Sequence, residues 1–179
     1  MMREVFQHDL HDVQNRLVDI AKSVTKIMQK ASSAFLKGDV ALADEAIALA
    51  EANESRALAL DESVIKILAK QQPVARDLRV LVSALRISAS LERMGALAGH
   101  IAAIARYRFP ESAVPEVLRE TFTEMGELDV ELGKKVAILL GNTDVDLARS
   151  IQAEDARIDE LHRTVFNVVL GDDWKENAM

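Results

Sequence analysis

Three arginines at seven-residue spacing are the side chains best suited to recognition chemistry in this sequence of 179 residues. Arg79, Arg86 and Arg93 fall on one face of a predicted helix, and His100 continues the series. Guanidinium groups match the geometry of carboxylates and of phosphates. These three arginines, the basic ridge, therefore predict a docking surface for an acidic partner or for phosphate itself. The alternative is ordinary pairing with surface carboxylates, which would contribute little.

Carboxylates offer a second chemistry, the binding of a hard cation. Glu92 interrupts a flank of small and apolar residues, and because Ala96 stands four positions on, it has no second carboxylate beside it. We expect an ion pair or a helix-cap contact for Glu92 in preference to a metal ion, although we group it with the basic ridge as a partner-binding candidate. Asp155 and Asp159 keep a four-residue spacing, with His162 on the same face, and a solvated acidic face is the favoured interpretation there.

The sequence predicts no cofactor, with at most weak binding of iron, zinc or magnesium at Glu92, Asp155 and Asp159. It also predicts no enzyme activity, because it has no cysteine, no glycine-rich phosphate loop and no candidate Ser-His-Asp set. His8 and His11 are expected to be solvated polar residues near the start. A formal net charge of -7 argues against binding nucleic acid.

The composition is typical of a helical bundle, since hydrophobic residues make up 49% of the chain and aromatic residues only 4%. No apolar run is long enough for a membrane span. The first twelve residues carry charged side chains and histidines where a signal peptide would have an apolar core. We therefore expect a cytoplasmic protein.

Five helices are predicted. Residues alternately four and three apart form one apolar stripe along the first helix: Val13, Leu17, Ile20, Val24, Ile27, Ala31 and Ala34. This helix ends at Lys37, with Gly38 as its left-handed cap and Asp39 as the N-cap of the next. The others are predicted over about residues 40–70, 73–106, 117–140 and 145–170, with Pro73 in the first turn of the third.

The helices are predicted to form a tandem repeat. A shift of 105 positions places Val13 on Leu118 and Ile27 on Leu132, and it sets the segment that begins with Asp39 on that of Asp144. We expect a three-helix unit over residues 1–108, a linker over 109–116 and a second unit over 117–179 that lacks its third helix. The apolar groove left open would be covered by a neighbouring chain, or the chain would be a fragment of a longer one.

The third predicted helix also carries a recognisable signature. It reads Gln71-Gln72-Pro73-Val74-Ala75-Arg76-Asp77-Leu78-Arg79, then Leu91-Glu92-Arg93-Met94-Gly95 and His100-Ile101-Ala102. This closely resembles the third-helix motif of PhoU proteins, Gln-Pro-x-Ala-x-Asp-Leu-Arg followed by Glu-Arg-Ile-Gly-Asp. Residues 154–161 similarly resemble the acidic segment of the family's fifth helix.

The resemblance implies an all-α fold of two antiparallel three-helix bundles, frequent dimerisation, and association with a phosphate ABC transporter and its sensor histidine kinase at the inner membrane. It implies a negative regulator of phosphate uptake and of phosphate-starvation signalling. In some members it implies metal held by Glu-x-x-x-Asp pairs, from which Ala96 departs. The alternatives are a ferritin-like carboxylate bundle, which lacks its paired Glu-x-x-His motifs here, and a purely structural dimerisation module.

Overall fold

The fold, taken from a computed structural model, is built from five long α-helices. The structure describes residues 2–172 and residue 174, and Asp173 and residues 175–179 of the predicted second unit lie outside that part. The helices are α1 (Met2–Lys37), α2 (Val40–Gln71), α3 (Ala75–Arg108), α4 (Arg119–Gly141) and α5 (Val145–Val169), with a 3₁₀ turn at Glu116–Leu118 before α4. The described residues include no strand, so the all-α class is confirmed.

Two of the helix starts use the same cap. The side chain of Asp39 accepts a hydrogen bond from the backbone N–H of Leu42 at 3.0 Å, and that of Asp144 accepts one from Leu147 at 2.9 Å. Before the first of these caps, Gly38 has a φ of +68°, which is the left-handed conformation expected of it. The tight turn folds α2 back along α1.

The start of α3 differs from the prediction. Pro73 lies in the connector, and the helix begins two residues later, at Ala75. Gln72 is the left-handed C-cap of α2, with φ +46°, and its N–H donates to the carbonyl of Leu68, so the chain leaves α2 immediately before Pro73. Val74 is extended and makes no side-chain cap, so the first turn of α3 has no side chain bonded to its N–H groups. The first position of α3 is therefore not a proline.

Helices α1, α2 and α3 enclose the main core. The α1 stripe is buried as predicted, and it meets Leu60 and Val64 of α2 and Leu91 of α3. In α3 the apolar residues Ala84, Leu91, Ala98 and Ala105 are buried, whereas Val80 and Ile101 are 45% and 38% exposed. Small residues also occupy the inner face of α3. A Cβ added to Gly95 would lie 2.9 Å from Asn53 Nδ2, so α2 and α3 approach too closely there for a side chain.

Helix α4 packs antiparallel against α1 through a second set of contacts. Gln14 Nε2 donates to the carbonyl of Leu140 at 2.9 Å, and Arg119 Nη1 donates to that of Leu36 at 2.9 Å. Between these two hydrogen bonds, a Cβ added to Gly133 would lie 2.8 Å from Thr25 Oγ1. The side of α1 that faces away from the main core therefore carries α4.

Helix α5 packs mainly on α4 and buries few of its own side chains. Leu161 is its one buried residue among those described. Ion pairs support the contact, since Lys135 pairs with Glu154 and Arg157 pairs with Glu124 at 2.7 Å. The far side of α5 leaves apolar side chains in solvent, with Val145 61%, Phe166 52% and Leu170 79% exposed. None of the described helices has the length and hydropathy of a membrane span.

Candidate functional site

The basic ridge lies on the outer face of α3. The side chains of Arg79, Arg86 and Arg93 are exposed, as is His100. None of the three arginines forms an ion pair or a side-chain hydrogen bond with the residues that the structure describes. Arg106, further along the same helix, does pair with Asp44 of α2 at 3.1 Å. The predicted alternative, pairing with the protein's own carboxylates, is therefore not what these three arginines do, and docking stays a prediction.

Apolar side chains stand beside the ridge. Val82 is 37% exposed and lies one turn along from Arg79, and Leu97 is 52% exposed and lies one turn along from Arg93. Exposed apolar groups interspersed with arginine are typical of protein interfaces, where arginine is enriched among the residues that contribute most to binding. The face of α3 thus offers both charge and apolar area to a partner.

Glu92 lies on the flank of α3, next to the ridge. Its side chain is half-buried, and it makes no hydrogen bond or ion pair with any described residue. The predicted ion pair or cap contact is therefore wrong. Ala96, where the family's metal motif has an aspartate, is exposed and supplies no ligand. One carboxylate without a second donor does not fit a structural metal site, which needs several oxygen ligands.

The acidic face of α5 is solvated. Asp155 and Asp159 are both exposed, and His162 packs its ring against Phe166 with centroids 4.9 Å apart. Over residues 2–172 and 174, no three His, Cys, Asp or Glu side chains are grouped so that they could hold a metal ion. The residues present therefore do not fit the metal that the family motif implies, and weak divalent binding stays a prediction.

Asp129 is a carboxylate that the sequence analysis missed. It is half-buried on α4, and it lines a cavity of about 210 Å³ together with Met94, Leu97 and Ile101 of α3. Burial raises the pKa of its carboxyl group, and the nearby charge of Asp155 raises it further. The sequence did contain a signal for the burial of Asp129. The shift of 105 residues sets Asp129 on Val24, which is 1% exposed in the main core.

Substituting Asp129→Asn is expected to stabilise the protein at neutral pH. A carboxyl group whose folded pKa is raised binds its proton more tightly in the folded state, so its ionisation costs stability as pH rises through the folded pKa. The variant should therefore have the higher Tm at pH 7, with the difference disappearing below pH 3.8, where the unfolded carboxyl is itself protonated.

The measurement is thermal unfolding of both proteins across that pH range. Asp159→Asn, which removes the same charge from an exposed position on α5, is the control and should change Tm little. An equal Tm gain for both variants would mean that overall charge, and not the environment of Asp129, is responsible.

The fold and the ridge define an all-α helical-bundle protein with an exposed basic surface. Residues 17–105, which span most of α1 through α3, match the model of the PhoU domain family. The chain is 38% identical over 177 residues to "Phosphate-specific transport system accessory protein PhoU homolog 2" of Mycobacterium tuberculosis, covering 99% of this chain and 83% of the relative. It is 37% identical to homolog 1 of Mycobacterium leprae, covering 99% of this chain and 80% of that protein.

A more distant relative, a PhoU homolog of Aquifex aeolicus, is 29% identical over 168 residues, which is 92% of this chain and 75% of the relative. The chain therefore belongs to the PhoU family, and the resemblance seen in its third-helix motif is confirmed.

Proposed function

We propose that this protein is an accessory component of a phosphate-specific transport system and a negative regulator of phosphate uptake and phosphate-starvation signalling. It would act by binding the phosphate ABC transporter and the sensor histidine kinase, without catalysing a reaction. The observation that carries the proposal is the basic ridge, three exposed arginines that form no ion pair with the described part of the chain, on the helix that bears the family motif. Further support comes from the relatives, which are named as accessory proteins of phosphate-specific transport systems.

The charges of the chain explain how such a surface could select its partner. The protein as a whole carries a formal charge of -7, so an acidic partner is repelled from most of its surface. At the ridge the local charge is positive. An acidic patch on the transporter or the kinase would therefore be oriented toward α3, and each guanidinium could form paired hydrogen bonds with a carboxylate.

Regulation by this mechanism depends on how much of the protein is bound to each partner. In high phosphate, binding to the transporter and the kinase together would favour the repressed state of the kinase, and dissociation would release it. The protein would work in the cytoplasm, held at the inner membrane by these proteins. The exposed apolar side chains of α5 favour a homodimer, for which light scattering coupled to an intact mass is the direct measurement.

Deletion of the gene tests the regulatory role. In high phosphate the deletion strain should express phosphate-starvation genes that the wild type represses. The reason is that the kinase would no longer be kept in its repressed state when phosphate is plentiful. The strain must first be shown to have no second member of the family, since a redundant copy would hide the effect. Repression that persists in such a strain would refute the proposal.

A further inference from the structure

A basin opens at the end of the molecule where α1 and α3 begin, beside the turn between α4 and α5. Its volume is about 820 Å³. Two polar rows face each other across it, one on α1 and one on α3: Gln7, His11 and Gln14, then Arg76, Arg79 and Ser83. The spacing of three or four residues within each row keeps its members on one helix face. The basin thus lies at the junction of the main bundle and α4.

The electrostatic character of the basin is opposite to that of the protein. Among the described residues no aspartate or glutamate lines it, although the chain has 29 acidic residues. Arg76 and Arg79 form no ion pair or side-chain hydrogen bond with the described residues. Both guanidinium groups are therefore free to bind an anion. By contrast, a pocket near the start of α4 is lined by Glu116, Glu120 and two further glutamates.

The first turn of α3 lies at this end of the basin, and of that turn only Arg76 lines it. At the opposite wall, the carbonyl of Leu140 at the end of α4 already accepts from Gln14 Nε2 at 2.9 Å. Asp77 also stands in the first turn of α3, but it is not part of the lining.

The floor of the basin is aliphatic. Leu10 and Leu17 of α1, Val80 and Ile87 of α3 and Leu140 of α4 form it. A volume of 820 Å³ is that of a site for a drug-sized molecule and is much larger than inorganic phosphate requires. A ligand that fills it must bring apolar area to the floor and negative charge to the two arginines.

We propose that this basin binds an organic phosphate, with the phosphate group on Arg76 and Arg79 and the remainder of the molecule on the aliphatic floor. Two guanidinium groups suit a phosphate group better than a single carboxylate, because they supply two positive charges and more hydrogen-bond donors than the two oxygens of a carboxylate use. The proposal goes beyond the regulatory role; it shares Arg79 with the basic ridge, and Arg76, which lies outside the ridge, distinguishes the two.

Calorimetric titration of the full chain tests the proposal with three probes: ATP, inorganic phosphate, and phosphatidylglycerol vesicles compared with phosphatidylcholine vesicles. The vesicles distinguish a lipid source of the phosphate from a soluble one. We expect ATP or phosphatidylglycerol to bind at least about tenfold more tightly than inorganic phosphate, and Arg76→Gln to weaken that binding by about tenfold or more through loss of a charged hydrogen bond.

Arg86→Gln, which removes the same charge from the ridge outside the basin, is the matched control and should change the affinity less than about twofold. Ser83→Tyr should also weaken binding by filling the basin, and it provides a second variant if Arg76→Gln reduces the Tm. The proposal fails if no probe binds at millimolar concentration, if inorganic phosphate binds as tightly as the larger probes, or if Arg86→Gln weakens binding as much as Arg76→Gln. If no probe binds and Arg76→Gln abolishes capture of a protein partner, Arg76 belongs to a protein-docking surface, and the proposal also fails.

Discussion

Replacing Ile27 by alanine is expected to lower the free energy of unfolding by about 2–5 kcal/mol, toward the upper end of that range. Ile27 is fully buried where α1, α2 and α3 meet, and the other described members of its buried cluster are all alanines. Small neighbours already bring the helices close together, so little can move to fill the space that the isoleucine leaves. The lost side chain should therefore leave a cavity.

The matched substitution Leu132→Ala is expected to cost only about 1 kcal/mol, because a side chain that is not fully buried has less buried apolar area to lose. Leu132 is the position that the shift of 105 residues sets on Ile27, yet it is only half-buried on α4. Urea unfolding of the wild type and both variants, at a concentration where the protein is monomeric, gives the comparison.

Equal losses for the two variants would contradict the prediction. They would mean that the side of α4 carrying Leu132 is covered as fully as the main core. If the Leu132 variant lost more stability as the protein concentration rose, a second copy would be the cover, because association would then contribute to folding.

The sequence was sufficient to predict the helices, because each is encoded by local features. Alternation of four- and three-residue spacings defined the inner face of α1, and Asp39 with Gly38 defined the turn after it. These depend on neighbouring residues alone. The start of α3 was predicted two residues early, because Gln72 takes a left-handed conformation and Pro73 stays in the connector. Which side chains of α3 are buried depends on its packing against α1 and α2, and that packing leaves Val80 and Ile101 exposed.

The site was less predictable from the sequence, because ionic contacts depend on which helices become neighbours. Seven-residue spacing was enough to place the three ridge arginines together in solvent. It could not show that Glu92 would find no partner, or that Asp129 would be half-buried near Asp155, since those outcomes follow from how α3, α4 and α5 pack. The predicted repeat sets Asp129 on the buried Val24. Comparison of polar as well as apolar positions of the two units would therefore have predicted that Asp129 is partly buried.

Reversing the charge of two ridge residues is expected to weaken partner binding strongly. In the double variant Arg86→Glu/Arg93→Glu, each change removes a free guanidinium and puts a carboxylate against the acidic partner, so attraction becomes repulsion at two points one helical heptad apart. Loss of a buried charged contact at an interface typically costs 2–5 kcal/mol, and we expect affinity for the transporter or kinase to fall about 30-fold or more. The measurement is capture of the transporter's cytoplasmic subunits and of the kinase from membranes, followed by titration of the purified pair.

The control for this variant is Arg149→Glu/Arg163→Glu, which makes the same change in net charge on two exposed positions of α5. It should bind nearly as well as the wild type at physiological salt, because exposed charges separated by more than about 8 Å are largely screened. If both double variants lost binding alike, overall charge would be responsible. If neither double variant lost binding, the three ridge arginines would have no effect on docking and the ridge would be ordinary surface. The docking surface would then have to be sought on the apolar side of α5.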